Sequence, residues 1–351
     1  MKTSTTRRSQ GDGRDKRVLS RPTQKDIAVA AGVSQAAVSL VLNKSETPSV
    51  PAATRARILK LAAELGYQPN HPARMFRRAR TMAIACVIPD ITNPFYPGLV
   101  RGLQSVAAPA GYDVLIFDTD GRPEGEERAL NWLLQGRADG VVGTFFHLRV
   151  PELMVLARKG VPLARLESQH KSEGPLPIDS VYIDNREAAA AMTRYLIARG
   201  HRRIAMILAE FGPSKRRALG YSSVMREAGL EPEFVIDSAY SEESGARAMQ
   251  RLLARKRDRV TAVFGASDVL ALGAMQAAKS AGLAIPDDIA IAGFDDIPAA
   301  KLLGLTTVRQ PEFDLGALAA ATLVNRLQPG GMELPGKSQE LKFEIIKRSS
   351  V

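Results

Sequence analysis

TQKDIAVAAGVSQAAVSLVLN, residues 23–43, has the pattern of two short helices separated by a tight turn. Thr23 and Asp26 are spaced as a capping box at the start of the first helix, and Gly32 ends it. Ser34 can cap the second helix. Two short helices joined by a glycine-containing turn are typical of a helix-turn-helix, whose second helix enters the major groove of DNA.

The second helix has two contrasting faces. The face predicted to be buried carries the apolar residues Val33, Val38, Val41 and Leu42. The opposite face carries Gln35, Ala36, Ala37 and Leu40. An outward face of small, uncharged residues is either a neutral surface or a surface fitted to a partner.

A third helix follows in PAATRARILKLAAELG, residues 51–66. Pro51 suits a first turn, Gly66 ends the pattern, and the apolar positions are Ile58, Leu59, Ala62 and Leu65. This helix would support the first two. The alternative interpretation is a three-helix bundle with no DNA-binding role.

The location of the positive charge favours DNA binding. The net charge is +11, and residues 1–80 carry 16 Lys and Arg against 5 Asp and Glu, whereas the other residues carry 32 of each. Residues 1–20 have the composition of a solvated basic tail. Further cations follow in patterned sequence, namely Arg55, Arg57, Lys60, Arg74, Arg77, Arg78 and Arg80. A polyanion, and duplex nucleic acid above all, is the partner that this distribution predicts.

Composition and spacing argue against several other classes of protein. The single cysteine, Cys86, lies in an apolar run and is predicted to be a buried strand thiol. The basic start has no apolar segment after it and no run approaches a membrane span, so we expect a cytoplasmic protein. Four scattered histidines (71, 147, 170 and 201) give no metal-ligand spacing, and neither a phosphate loop nor a nucleophile elbow occurs. We therefore expect no enzyme activity, no metal and no cofactor.

From Thr81 onward, strand-like runs such as MAIACVIP and IAIAGFDD alternate with helical stretches. This alternation predicts an α/β fold of doubly wound parallel sheets. Because about 270 residues are many for one such sheet, we expect two similar lobes with a cleft between them. Ligands of such folds bind beyond the carboxyl ends of the strands.

Eight motifs in order make the chain resemble the lactose-repressor (LacI/GalR) family of bacterial transcription regulators over residues 21–351. They are KDIAVAAGVS with VLN, TRARIL with AAELGYQPN, DITNPFYPGLVRGL, ADGVV, VYIDN, ARGHRRIAMI, IPDDIAIAGFDDI and LTTVRQP. The resemblance implies a homodimer that binds a pseudo-palindromic operator through paired helix-turn-helix domains. It also implies that a small-molecule effector in a cleft, between lobes like those of periplasmic binding proteins, alters this binding.

The resemblance assigns roles to residues of the helix-turn-helix. Gln35 and Ala36 fall where side chains meet base edges, and Ala37 and Leu40 replace what are commonly Thr and Arg. Leu and Ala offer apolar contacts, for example to thymine methyl groups, where Arg would bind guanine. The alternative is that Leu40 packs inside. The resemblance places DNA-contacting positions, most of them to phosphate, at Thr23, Ser34, Ser39, Asn43, Thr54 and Arg55.

The segment NHPARMFRRAR, residues 70–80, resembles the hinge helix of the family. Asn70 can cap it, and Ala73 suits the close approach of a second helix. Phe76 stands where the family has a leucine that wedges into the minor groove. A Phe side chain can also wedge between base pairs and kink DNA.

The resemblance also assigns an effector site. Arg217 and Asp295 match a pair that binds polar ligand groups, and Tyr240 matches an aromatic residue that stacks on a flat ligand face. Phe95 or Tyr96 would form the opposite wall. The expected effector-binding residues are Phe95, Tyr96, Phe146, Arg217, Tyr240, Ser267, Asp295 and Gln310. The alternative for Arg217 is a surface charge.

Two departures from the family pattern bear on this site. Ser267-Asp268 replaces the common Asn-Asp, and Val269 follows; with Phe145 and Phe146 this predicts a drier pocket than a sugar usually needs. Asp268 is interpreted mainly as a helix cap. His147 lies close to the pocket in sequence, although a lone loop histidine more often faces solvent.

The predicted organisation is a tail (1–20), a helix-turn-helix domain (21–66), a hinge (67–80) and a core (81–351). Within the core, an N-terminal lobe combines residues 81–181 with 311–337, and a C-terminal lobe combines 182–310 with 338–351. The end of the chain reads as a closing strand with no leucine heptads after it, so we expect a dimer rather than a tetramer.

Two alternative functions remain open. One is a transport-type sugar-binding protein, which would share the two-lobed core but needs a signal peptide and no basic helix-turn-helix. The other is an architectural DNA-binding protein without an effector, against which Arg217 and Asp295 argue.

Overall fold

A computed structural model describes residues 22–42, 50–67, 80–167, 178–255 and 259–351. These residues fall into two compact units, one within residues 1–79 and one formed by residues 80–351. The expectations for the tail, for Asn43 and for the hinge residues Asn70, Ala73 and Phe76 lie outside the described residues.

The first unit contains three helices, α1 (Gln24–Ala31), α2 (Gln35–Leu42) and α3 (Ala52–Glu64). Both signals at the ends of α1 are confirmed: Thr23 and Asp26 form a capping box, and Gly32 ends the helix with a left-handed backbone, φ 62°. The Ser34 hydroxyl accepts a hydrogen bond from the Ala37 N–H at 3.2 Å and so caps α2. Pro51 precedes the first turn of α3 as its N-cap.

A small apolar core holds these helices together. Its centre is Ile27, Val38 and Ile58, which are fully buried, and it includes Ala28, Ala31, Val41 and Ala62. Leu59 and Leu65, which belong to the apolar pattern of α3, lie outside this core and are 49% and 42% exposed. Only the stripe of α3 that contains Ile58 and Ala62 meets α1 and α2, because residues four apart share one face of a helix.

The second unit is built from two six-stranded sheets, each flanked by helices. The N-terminal lobe contains β1 (Ala83–Ile88), α4 (Phe95–Ala107), β2 (Asp113–Asp118), α5 (Pro123–Leu134), β3 (Gly140–Gly143), α6 (Val150–Arg158), β4 (Leu163–Glu167), β5 (Ile178–Tyr182), α12 (Glu312–Arg326) and β11 (Ser338–Glu340). Its strand order is β11-β5-β4-β3-β1-β2, and every pair is parallel.

The C-terminal lobe repeats this plan with α7 (Asn185–Ala198), β6 (Ile204–Ala209), α8 (Ser214–Glu227), β7 (Glu233–Asp237), α9 (Glu242–Leu253), β8 (Ala262–Gly265), α10 (Asp268–Ser280), β9 (Ala290–Asp295), α11 (Pro298–Leu302), β10 (Thr306–Arg309) and β12 (Glu344–Ile346). The strand order is β12-β10-β9-β8-β6-β7, and β12, the predicted closing strand, is antiparallel to β10. The alternation of strands and helices therefore predicted the fold class correctly.

The chain crosses between the lobes three times, after Tyr182, after Arg309 and after Glu340. The last crossing differs from the expected position, because residues 338–340 pair with β5 in the N-terminal sheet before the chain returns.

The place of Arg80 also differs from the prediction, which counted it among the cations of the DNA-binding region. Its guanidinium donates to the Tyr112 hydroxyl at 3.2 Å and to the Leu327 carbonyl at 2.5 Å, so this cation is anchored in the second unit rather than in a DNA-binding segment.

Among the described residues, no single helix is long and apolar enough to cross a membrane; α1 and α2 reach that length only as a pair bent by 110°.

Candidate DNA-binding surface and effector cleft

Helix α2 exposes the face that the sequence predicted to be exposed. Helices α1 and α2 meet at 110°, within the range of helix-turn-helix motifs. Gln35 and Ala36 are exposed, Ala37 is half-buried, and Leu40 is 37% exposed. The alternative in which Leu40 packs inside is therefore wrong. The outward face of α2 offers one amide and otherwise apolar groups.

The other described residues predicted to contact DNA lie at the ends or on the sides of these helices. Thr23 is exposed, although its hydroxyl already donates to the Asp26 carboxylate at 2.8 Å. Ser34 is exposed at the start of α2, and Ser39 is half-buried within it. Thr54 and Arg55 are half-buried in the first turn of α3, where backbone N–H groups favour anions.

The second unit has a cavity of about 710 Å³ between its lobes, at the carboxyl ends of the strands. A cavity of this size is typical of small-molecule sites. All eight predicted effector-binding residues line it: Phe95, Tyr96, Phe146, Arg217, Tyr240, Ser267, Asp295 and Gln310. Phe145 and His147 line it as well, so His147 faces the cleft. Val269 instead packs in the apolar core of the C-terminal lobe and takes no part in drying the pocket.

Arg217 is held at the floor of this cavity by several groups. Its Nε donates to Asn185 Oδ1 at 2.7 Å, and its Nη1 donates to the Ala266 carbonyl. The guanidinium carbon lies 3.5 Å from the centre of the Phe294 ring, a cation–π contact. The side chain is 4% exposed, so the interpretation of Arg217 as a surface charge is wrong.

Asp295 ends β9 beside Arg217, with 3.6 Å between Asp295 Oδ1 and Arg217 Nη1. Gln310 Nε2 donates to the same oxygen at 2.6 Å, so Gln310 orients the Asp295 carboxylate. Asp295 has a positive φ of 124°, which an aspartate rarely adopts. Burial raises the pKa of Asp295, and the positive charge of Arg217 opposes that shift.

Asp268 has a different role from the one predicted. The cap of α10 is Ser267, whose hydroxyl accepts from the Leu270 N–H at 3.3 Å. The buried Asp268 carboxylate instead accepts from Thr307 Oγ1 at 2.5 Å and from the Ile297 N–H at 2.9 Å. Burial, followed by the nearby charge of Asp295, raises the pKa of Asp268. The carboxylate thus joins α10 to the loop after β9 and to β10, beneath the cavity.

Aromatic rings form the upper part of the cavity. The Phe146 ring lies 5.6 Å from Phe211 and 6.4 Å from Tyr240, measured between ring centres. The Tyr240 hydroxyl is fixed, because it accepts from the Ser214 N–H at 3.0 Å and donates to the Phe211 carbonyl at 3.2 Å. Phe95 and Tyr96 meet edge to face at 5.3 Å. The cavity therefore combines a charged floor with flat apolar walls.

Sequence reasoning missed several residues of the site. Asn185 lies in the quoted motif VYIDN, but nothing in one sequence says that its amide holds Arg217. Phe211 follows strand β6, and its position after the carboxyl end of a strand is the one signal that could have found it. Within the described part of the chain, no three His, Cys, Asp or Glu side chains are grouped so that they could hold a metal ion.

Comparison with known proteins agrees with this geometry. Residues 23–70 match the family described as bacterial regulatory proteins, lacI family, and residues 193–351 match the periplasmic binding protein-like domain. The chain is 34% identical over 338 residues to the HTH-type transcriptional repressor CytR of Escherichia coli (strain K12), covering 93% of this chain and 96% of CytR. It is 36% identical over 310 residues to the ribose operon repressor of Halalkalibacterium halodurans, covering 87% and 90%.

Solved structures give the same result. The transcriptional regulator CelR in complex with cellobiose superposes with a TM-score of 0.68 at 30% identity, covering 94% of this chain and 100% of that one. The lac repressor dimer bound to operator and the anti-inducer ONPF superposes with a TM-score of 0.80, covering 94% and 98%. At 24% identity, this second likeness concerns the fold alone.

Proposed function

The chain belongs to the LacI family of bacterial regulatory proteins, and we propose that it is a transcriptional repressor whose hold on operator DNA is set by a small molecule in the cleft. The observation that carries the proposal is the presence, in one chain, of a helix-turn-helix with an exposed recognition face and a core with a ligand-sized cavity. A transport-type binding protein has no use for the first of these, and an architectural DNA-binding protein has no use for the second.

The recognition face of α2 suggests the kind of operator. Leu40 and Ala36 are exposed and Ala37 is half-buried, and none of the three can donate a side-chain hydrogen bond to guanine. Apolar side chains at base edges favour the thymine methyl group. We therefore expect thymine-rich positions in each half-site. The Gln35 amide is the polar group of this face that would hydrogen-bond to an adjacent base.

A homodimer would present two such helices to a pseudo-palindrome. The outermost strands β2 and β7, one in each lobe, expose apolar side chains that a second copy could cover. These are Leu115 and Ile116 on β2 (41% and 43% exposed) and Phe234 and Ile236 on β7 (37% and 52% exposed). Exposed apolar side chains on edge strands are typical of a surface covered by another chain.

The effector class follows from the cavity. The Arg217–Asp295 pair and Gln310 supply charged and amide groups for hydroxyls, and the aromatic walls suit the flat face of a ring. We infer a sugar or a related ring-containing metabolite. The complex of CelR with cellobiose and the name of the ribose operon repressor agree with this class.

Two further inferences complete the proposal. The relatives named above are regulators of transcription, and we infer that this chain likewise acts by binding rather than by catalysing a reaction. Since its partner would be chromosomal DNA, we place the protein in the cytoplasm.

Thermal melting of the full-length protein against sugars, nucleosides and phosphorylated metabolites tests the effector site. A compound at about 100 times its dissociation constant adds about 2.7 kcal/mol to the free energy of unfolding. The same compound must then change binding to an operator in a gel-shift assay. A compound that raises the melting temperature without changing operator binding would contradict the proposed regulation.

A further inference from the structure

The loop after β3, residues 144–149, is held from beneath by one buried carboxylate. Glu126 lies in the first turn of α5 and is fully buried. Its Oε1 accepts from the Phe146 N–H at 2.6 Å, and its Oε2 accepts from the Leu148 N–H at 2.7 Å. The His147 N–H lies 3.2 Å from Oε1 and 3.1 Å from Oε2, so three consecutive backbone donors converge on this side chain.

The start of α5 is shaped to bring Glu126 close to the loop. A Cβ atom at Gly125 would lie 2.0 Å from the Thr119 carbonyl oxygen, so only glycine allows α5 to approach the end of β2 this closely. A buried charge is tolerated when several donors satisfy it, and three N–H groups do so here.

The loop presents Phe146 to the other lobe. Phe146 belongs to the N-terminal lobe, whereas Phe211 and Tyr240 follow strands β6 and β7 of the C-terminal lobe. We call these three rings the aromatic clasp. A Cβ atom at Gly212 would lie 2.9 Å from the Phe146 ring, which shows how closely the lobes meet there. Next to the clasp, His147 Nε2 lies 2.9 Å from the Gly121 carbonyl oxygen, on the N-terminal side.

We propose that Glu126 is a positioning residue for the effector site: it fixes the backbone of residues 146–148 so that Phe146 closes the aromatic clasp between the lobes. The clasp residues also line the cavity, so a ligand contacts the same rings that join the lobes. Without the Glu126 carboxylate, the N–H groups of Phe146, His147 and Leu148 lose their buried acceptor. Because a buried N–H without a partner is costly, the loop must then move so that water can accept from these groups. The proposal rests on the proposed function, because it assigns the lobe contact to the effector site.

Two measurements on the full-length protein, made without any effector, test the positioning role. The first is amide hydrogen exchange in wild type, Glu126→Gln and the matched control Glu127→Gln, since Glu127 is the exposed neighbour on α5. The Gln side chain keeps one acceptor oxygen, but its NH2 group is a donor and cannot accept from the backbone N–H groups of the loop. We expect exchange at Phe146, His147 and Leu148 to accelerate by about tenfold in Glu126→Gln, the order of one lost hydrogen bond, and not in Glu127→Gln.

The second is the distance between spin labels on Cys introduced at Arg128 on α5 and at Gln250 on α9, both exposed and on different lobes. The native Cys86 is fully buried, and burial raises the pKa of its thiol to about 12, so it will not take the label. Because the expected homodimer carries four labels, the doubly labelled protein is diluted with an excess of unlabelled protein so that the distance within one chain dominates, and we expect this distance distribution to be narrow in wild type. Glu126→Gln and Phe146→Leu should both broaden it toward longer distances, and Glu127→Gln should not.

Unchanged exchange or unchanged distances in Glu126→Gln would overturn the proposal. So would a change in Phe146→Leu alone, because the clasp would then exist without needing Glu126. If Glu126→Gln does not fold, Glu126→Asp, which keeps the charge but is one methylene too short to reach all three donors, takes its place with the same expected results. Because no effector is present, a failure to find an effector-dependent response leaves these results unaffected.

Discussion

Arg217 Nη1 lies 3.6 Å from Asp295 Oδ1, and both side chains are more than nine-tenths buried at the floor of the cleft. Each side chain has further partners, namely Asn185 and the Ala266 carbonyl for Arg217, and Gln310 for Asp295. A buried pair of opposite charges rarely adds much stability, because removing both ions from water costs several kcal/mol each. Here the pair places one positively and one negatively charged side chain in fixed positions at the cavity, where both can bind a ligand.

Exchanging Asp295 for Asn should abolish the response to an effector while operator affinity stays near wild type. The change keeps the shape of the side chain but removes a charge-assisted hydrogen bond to the ligand, worth about 1.5–3 kcal/mol, which is comparable with typical coupling between sites. Gel shift with and without the effector measures it. Lys215→Ala, on the exposed face of α8, is the control. A normal response in Asp295→Asn would mean that the ligand binds elsewhere.

The stability of the core should depend on pH through Asp268. A carboxyl group whose pKa is raised in the folded protein binds its proton more tightly there than in the unfolded chain. The free energy of unfolding therefore decreases as the pH rises from about 4 toward neutrality. Each unit by which the pKa is raised corresponds to about 1.4 kcal/mol.

Asp268→Asn should flatten this dependence, because the amide can accept from the Ile297 N–H and donate to Thr307 Oγ1. Urea unfolding at several pH values measures the slope, and Asp287→Asn, at an exposed position, serves as the comparison. If the slope is the same in both variants, Asp268 is not its source.

Replacing Leu40 by Arg should change which operator is preferred. A guanidinium on the exposed face of α2 can bind guanine through two hydrogen bonds, which is worth about 1–3 kcal/mol of discrimination. Selection from randomised DNA should show guanine at one symmetric position of each half-site. The control Val29→Arg adds the same charge on α1, at a residue that is 76% exposed. An identical change in operator preference in that variant would contradict the prediction that residue 40 faces the bases.

The dimer should depend on the edge strands. Ile236→Asp places a charge on the outer strand β7 and should give a particle of one chain mass in light scattering, where wild type gives two. Leu302→Asp makes the same exchange on α11 at a residue that is 85% exposed and should leave the dimer intact. A dimer that survives Ile236→Asp would move the interface away from β7.

Much of this architecture was predictable because local signals agreed with the tertiary structure. The capping box at Thr23 and the left-handed Gly32 set the limits of α1, and fully buried strands such as β1 and β9 read as continuous apolar runs. Strands β4, β7, β10 and β11 were missed. β4, β7 and β11 contain charged residues, and β10 begins with two threonines, so apolarity does not distinguish these strands from loops.

The eight residues that the resemblance assigned to the effector all line the cavity, but their contacts with one another were not predicted. That these residues bind an effector stays a prediction. The resemblance did not reveal that Ser267 rather than Asp268 caps α10, or that Asn185 and Gln310 orient the charged pair. The contacts of Asn185 and Gln310 join residues separated by 32 and 15 positions, and a single sequence carries no signal for such pairs.

We propose that this chain binds operator DNA through its first unit and carries the effector site in its second. Affinity selection of genomic fragments by the full-length protein, in parallel with residues 80–351 alone, tests this assignment. We predict that the full-length protein recovers fragments that share one pseudo-palindrome, in a steeply salt-dependent manner, and that residues 80–351 recover none above background. Recovery of the same fragments by residues 80–351, or fragments without two-fold symmetry, would contradict the claim.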